Sequence, residues 1–182
     1  MVADLLRDER EAEAGARRLR AVGADEGLGG AGNDRITGVA GNDRLAGGAG
    51  DDMQDGGAGN DTIFANAGRD TSTGGDGNDV LWALARADVT PGPGGATDTA
   101  GDTLDGGNGD DVFRTRDGEA DRITCGAGTD RALLDTVDVI ADATAADPNG
   151  SCEQVRRRAP GGNRRNGRCS SGMNVVRSGL TP

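Results

Sequence analysis

The sequence predicts an all-β repeat fold, a solenoid of short parallel strands stacked coil on coil, over the middle of its 182 residues. Three observations predict it. A nine-residue period runs for six blocks without a gap, glycine supplies 34 residues, and only 34% of the chain is apolar and 2% aromatic. That composition is too poor in apolar and aromatic residues for a thick conventional core. Glycine is also costly to order inside regular structure, so this many glycines must be wanted for backbone geometry. A short fixed period outweighs local propensity and decides the fold class.

Aligned on one aspartate, the blocks read GGAGNDRIT from Gly29, GVAGNDRLA from Gly38, GGAGDDMQD from Gly47, GGAGNDTIF from Gly56, ANAGRDTST from Ala65 and GGDGNDVLW from Gly74. Residues 83–96, ALARADVTPGPGGA, interrupt the array and read as a protruding loop. It resumes with a degenerate block from Thr97, a strong one, GGNGDDVFR, from Gly106, RDGEADRIT from Arg116 after an extra Thr115, and CGAGTDRAL from Cys125.

Each block divides into a six-residue turn half and a three-residue minimal strand. Alternation within the strand points its middle residue inward. The inward set is then Ile36, Leu45, Gln54, Ile63, Ser72, Leu81, Leu104, Phe113, Ile123 and Ala132. If two blocks make one coil, blocks i and i+2 stack on one side, so Gln54 and Ser72 adjoin and the sheet that begins with Ile36 is the weaker one.

The flanks read differently. Residues 1–26 carry seven acids and five arginines and predict a charged helix over Met1 to Val22 that caps the open end of the roll. The repeat region spans 27–133, a cap segment follows over 134–153, and the Gly-, Asn- and Arg-rich residues 154–182 predict a disordered basic tail. That tail, with Arg156, Arg157, Arg158, Arg164 and Arg165, reads as solvated rather than as a nucleic-acid surface, because aromatics are lacking. Of the three cysteines, Cys125 closes the array and Cys152 follows a short apolar segment, so those two are expected to pair and Cys169 to stay free. No C-x-x-C spacing suggests a thiolate zinc site, and a disulfide implies oxidising surroundings.

The residue inventory excludes several chemistries. The chain has no His and no Lys, so it holds no Ser-His-Asp triad, no H-E-x-x-H metal motif, no phosphate-loop lysine and no Schiff-base nucleophile. It also lacks a G-x-S-x-G elbow. The stretch from Gly27 to Gly32 satisfies G-x-G-x-x-G, but no apolar strand precedes it and the nonapeptide period already accounts for its glycines. Paired carboxylates such as Asp51 with Asp52 and Asp110 with Asp111 recur with the period, which suits ligands better than an acid/base pair for sugar hydrolysis. Phe64 and Trp82, beyond the inward residue, read as shielded by a neighbouring segment rather than as a partner surface. No run of 18 apolar residues suggests a membrane span, and no apolar run near Met1 suggests a cleavable signal, so export is expected to use another route or a start upstream of Met1.

What remains is the charge. Residues 27–152 hold 23 acids against eight arginines, and every acid but Glu119 is Asp. A short carboxylate is therefore wanted close to a turn backbone. One inward aliphatic side chain per block returns far less free energy than ordering nine residues costs. Stacked aspartates add mutual repulsion. A divalent cation held by carboxylates of two coils and by inward carbonyls answers both problems, and a flexible all-oxygen donor set suits Ca²⁺ better than the smaller, rigidly octahedral Mg²⁺.

The blocks match G-G-x-G-x-D-x-U-x, and over residues 29–133 the chain resembles the RTX family of hemolysin-type calcium-binding repeats. The resemblance implies a right-handed parallel β-roll and several Ca²⁺ ions. It implies as metal ligands the position-six aspartates Asp34, Asp43, Asp52, Asp61, Asp70, Asp79, Asp102, Asp111, Asp121 and Asp130. The turn glycines Gly29, Gly32, Gly47, Gly50, Gly56, Gly59, Gly74, Gly77, Gly106 and Gly109 go with them. Asp34 would share a side with Asp52, Asp43 with Asp61, and Asp61 with Asp79. The blocks at Ala65 and Arg116 depart from the pattern, through Ala65 and Asn66 and through Glu119, and are expected to bind poorly. The implied function is non-enzymatic, extracellular and bacterial: calcium-dependent folding outside the cell, with an unknown protein or cell-surface partner. The alternatives are a calcium-binding accessory or secretion module of a larger hydrolase or toxin, and an adhesin or surface-layer component.

Overall fold

In a computed structural model the described residues are 18–20, 26–83 and 101–158, and they form a parallel β-solenoid. Its strands are β1 (Arg18–Arg20), β2 (Glu26–Ala31), β3 (Arg35–Ala40), β4 (Arg44–Ala49), β5 (Met53–Ala58), β6 (Thr62–Ala67) and β7 (Thr71–Asp76). They continue with β8 (Val80–Trp82), β9 (Thr103–Asn108), β10 (Val112–Thr115), β11 (Arg122–Thr124), β12 (Arg131–Asp135), β13 (Val139–Ile140) and β14 (Gln154–Arg158). Odd-numbered strands make one seven-stranded sheet and even-numbered strands the other. Ile36 pairs with Gln54, and Leu45 with Ile63, so one coil is two blocks, as the period requires.

All ten expected inward residues are buried, and the alternation runs further than the minimal strand allowed. Strands in the regular blocks are six residues long because positions one to three stay in the ladder and pair with the next coil, as Gly48 does with Asn66. In the regular blocks buried residues therefore fall at positions six, eight and one. Those blocks present an aspartate, in most cases an aliphatic residue, and a glycine to the interior. Val39 and Asn66, at position two, adopt φ of 84° and 79° where most blocks use glycine, a conformation that side chains disfavour.

The interior has two apolar clusters. Ile36, Leu45 and Ile63 form one; Leu81, Leu104, Phe113, Ile123, Ala132, Leu134 and Ile140 form the other, together with Cys125 and Cys152. The polar rung between them is Gln54 and Ser72, which pair in register as expected. Ser72 Oγ donates to Gln54 Oε1 at 2.8 Å and Gln54 Nε2 donates to the carbonyl of Phe64 at 2.9 Å, so the buried amide is satisfied. On the outer face of the even-numbered sheet Phe64 and Trp82 stack at 5.8 Å, with the guanidinium groups of Arg44 and Arg114 each 4.6 Å from a ring centroid. Neighbours in the same ladder thus cover these rings.

The ends differ from expectation. Arg18–Arg20 is a strand paired with β3, not the last turn of a helix; the rest of the expected N-terminal helix lies outside the described residues. Gln154–Arg158 belongs to the roll rather than to a disordered tail, because the open edge of β12 offers unpaired backbone and Val155 packs on the core. The rest of the tail and Cys169 also lie outside the described residues. A disulfide joins Cys125 to Cys152, as expected. Most of the insertion over 83–96 is not described, yet β10 pairs directly with β8 across it.

Replacing the polar rung tests this packing. Ser72→Ala, which strands Gln54 Oε1, is expected to cost about 1 kcal/mol. The double variant Gln54→Leu with Ser72→Val joins the two clusters and is expected to stabilise by about 1–2 kcal/mol. The Phe64 carbonyl would keep Asn66 Nδ2 as a donor, at 3.2 Å. Urea unfolding at fixed calcium measures both.

Candidate metal centre

The alternation that buries the aliphatic residue also buries the aspartate two places before it. All ten position-six aspartates are at most 3% exposed. Each is held by the coil stack: Asp34 N–H donates to Asp52 Oδ1, Asp43 N–H to Asp61 Oδ1, Asp52 N–H to Asp70 Oδ1 and Asp61 N–H to Asp79 Oδ1, all at 2.7 Å. The three same-side pairs expected from the sequence are therefore adjacent rungs. The columns cross the insertion, Asp70 N–H donating to Asp102 Oδ1 at 2.9 Å and Asp79 N–H to Asp111 Oδ1 at 2.8 Å.

Two terminal rungs escaped the sequence reading. Asp121 N–H donates to Asp138 Oδ1 at 3.3 Å, and Asp130 N–H to Glu153 Oε2 at 2.7 Å, so Asp138 and Glu153 end the two columns. Both stand two residues before an inward-facing position, in Asp138-Val139-Ile140 and Glu153-Gln154-Val155, which is the one local signal left once the glycines are lost. Position five carries a second ladder of opposite sense. Asn33 Oδ1 accepts from Asp51 N–H at 3.0 Å, Asn42 Oδ1 from Asn60 N–H at 2.8 Å and Asn60 Oδ1 from Asn78 N–H at 2.8 Å. Where position five is Asn, as at Asn60, the turn thus binds the coil on one side through position five and the coil on the other through position six.

These bonds use one oxygen of each buried aspartate. The second oxygen, Oδ2, of Asp52, Asp61, Asp79, Asp102, Asp111, Asp117, Asp121 and Asp130 is buried and accepts no hydrogen bond. In the regular blocks it lies against the position-one glycine of its own block. A side chain on Gly56 would overlap Asp61 Oδ2 and reach within 2.5 Å of the Gly74 carbonyl oxygen. Gly29, Gly38, Gly47, Gly74 and Gly106 stand in the same relation to Asp34, Asp43, Asp52, Asp79 and Asp111, and each faces the position-one carbonyl of the next coil. A cradle lined by carboxylate and carbonyl oxygens, kept open by the missing Cβ, is a donor set for a hard cation. The residues fit Ca²⁺.

The position-four glycines serve another purpose. Gly50, Gly59, Gly77 and Gly109 have positive φ and lie against the position-four carbonyl of the preceding coil, where a Cβ would collide with backbone. They let coils approach: a Cβ there would meet the preceding coil's backbone and not the position-six carboxylate. Ala65, Arg116 and Cys125 replace the position-one glycine beside Asp70, Asp121 and Asp130, so those turns lack the open cradle.

Uncompensated burial shows in the carboxyl groups. Desolvation raises Asp52 and Asp79 from 3.8 to about 6 and Asp111 to about 7, helped by the charges of stacked neighbours and opposed by the backbone N–H each accepts. Asp121 rises to about 8 and Asp102 to about 9 for the same leading reason. A carboxyl raised in the folded state holds its proton more tightly there than in the unfolded chain. Protonation then stabilises the roll, fully below about 4, and the gain is lost as pH rises through about 6 to 9. In EDTA, circular dichroism should therefore show β signal growing as pH falls from 8 to 4, a trend saturating calcium abolishes.

The sequence matches the family described as RTX calcium-binding nonapeptide repeat (4 copies) over residues 22–54, 55–84 and 97–132, together more than half of the chain. Comparisons with curated proteins and with solved structures find no match.

Proposed function

The chain belongs to the RTX family of calcium-binding nonapeptide repeats, and from that premise we propose that its glycine cradles hold several Ca²⁺ ions and that filling them drives the folding of an extracellular, non-enzymatic protein. The observation that carries this reading is the row of buried carboxylate oxygens without donors on Asp52, Asp61, Asp79 and Asp111, each set against the position-one glycine of its own block. The ligand carboxylates are Asp34, Asp43, Asp52, Asp61, Asp79 and Asp111. Asp70, Asp102 and Asp130 continue the columns and supply charge to neighbouring sites. Bound Ca²⁺ would supply positive charge where stacked carboxylates repel, so binding and folding become one equilibrium.

The disulfide supports an oxidising compartment, and extracellular calcium modules commonly bind at roughly 10⁻⁴ to 10⁻³ M. Among the described residues no helix is long and apolar enough to cross a membrane.

Ion counting by equilibrium dialysis at saturating calcium tests the assignment. Gly56→Ala, which fills a cradle, and Asp61→Asn, which removes its charge, should each lower the bound calcium by at least one ion per chain. Ala65→Gly, which opens a cradle beside Asp70, should raise it by one. Unchanged counts in all three would contradict the cradle as the site.

A further inference from the structure

The turn from Arg116 to Asp121 departs most from the repeat. Arg116 stands at position one, so no glycine cradle exists there. Carboxylates occur instead at positions two, four and six, as Asp117, Glu119 and Asp121. One oxygen from each of the three lies within 4.8 Å of the other two. Asp121 is fully buried, and its Oδ2, like Asp117 Oδ2, is shut off from solvent with no hydrogen-bond donor. The adjacent cation does not answer them: Arg116 Nε donates to the Leu134 carbonyl at 3.1 Å and its Nη2 to the Arg156 carbonyl at 3.0 Å.

The frame around the three groups is built from fully engaged neighbours. Asp117 Oδ1 accepts from Glu119 N–H at 3.0 Å, Gly118 N–H donates to Asp135 Oδ2 at 2.9 Å, and Asp121 Oδ1 accepts from Asp102 N–H at 2.8 Å. Asp138 Oδ2 in turn accepts from Asp135 N–H at 2.8 Å and from Thr115 Oγ1 at 2.6 Å. Asp135 and Asp138 thus hold the turn.

We propose that this turn is a cation site of a second kind, in which side-chain carboxylates of Asp117, Glu119 and Asp121 replace the glycine cradle and take Ca²⁺. The sequence pattern marked this turn as a weak binder because it lost a glycine; the geometry reverses that expectation. Three carboxylates converge on one point here, and calcium affinity rises with ligand charge and site rigidity. This site fills at lower calcium than the cradles and orders the disulfide-closed end of the roll first. The choice of cation rests on the calcium reading above.

Equilibrium dialysis of the full chain against calcium chloride, across rising free calcium, tests it. The double variant D117N/E119Q should bind one ion fewer at saturation and lose the first-filled step, with the circular dichroism of the saturated roll unchanged. Glu119→Gly, which restores the repeat's own residue, should lose the same ion. Asp61→Asn should keep the first step and lose a later one. An unchanged ion count and an unchanged first step in D117N/E119Q and in Glu119→Gly overturn the proposal while leaving the cradles intact. A wild-type chain that keeps its first step but shows no later ones would instead contradict the cradle reading.

Discussion

Everything in this fold depends on burying a column of carboxylates in register. Each position-six aspartate is fixed by a backbone N–H of the coil before it, a bond of 2.7 Å in the regular blocks. That bond sets the rise from coil to coil and turns the second oxygen toward the position-one glycine. A charge-accepting hydrogen bond of this kind is strong, but it satisfies half of the carboxylate. The other half carries the cost of desolvation, as the upward shifts of Asp52, Asp79 and Asp111 show. Burying a charge without a partner is among the most expensive things a fold can do, so the roll is built to need a cation or a proton.

The rest of the repeat follows from that need. Position one is glycine because a methyl there would meet the carboxylate oxygen and the next coil's carbonyl. Position five is most often Asn or Asp because its oxygen binds the following coil while position six binds the preceding one. The aliphatic residue at position eight gives a narrow apolar stripe, broken at Gln54 and Ser72 by a pair that satisfy each other. The solenoid is thus held by polar ladders as much as by its core, in keeping with a chain that has few apolar residues to bury.

Much of this was legible in the sequence where the period is intact. The inward residues, the Gln54–Ser72 contact and the same-side aspartate pairs all follow from counting in nines, and the Cys125–Cys152 disulfide from where the two cysteines stand, at the close of the array and after the apolar segment. What was hidden falls where counting fails. Strand length was underestimated because glycines at positions one and two read as turn residues, although here they stay in the ladder, position two with a positive φ. Asp138 and Glu153 were missed because the blocks they end have lost their glycines and their spacing. Gln154–Arg158 was read by composition, which cannot see that the edge of β12 awaits a strand. Glu119 read as a departure because a motif scores glycines, and its closeness to Asp117 and Asp121 is a matter of geometry that the motif does not carry.

The most direct test of the central claim is circular dichroism of the purified chain during a calcium titration at neutral pH, with magnesium as the control. The account predicts a cooperative gain of β structure at roughly 10⁻⁴ to 10⁻³ M calcium and none with magnesium. A spectrum already fully β in EDTA at that pH, or one that remains coil at saturating calcium, would contradict it.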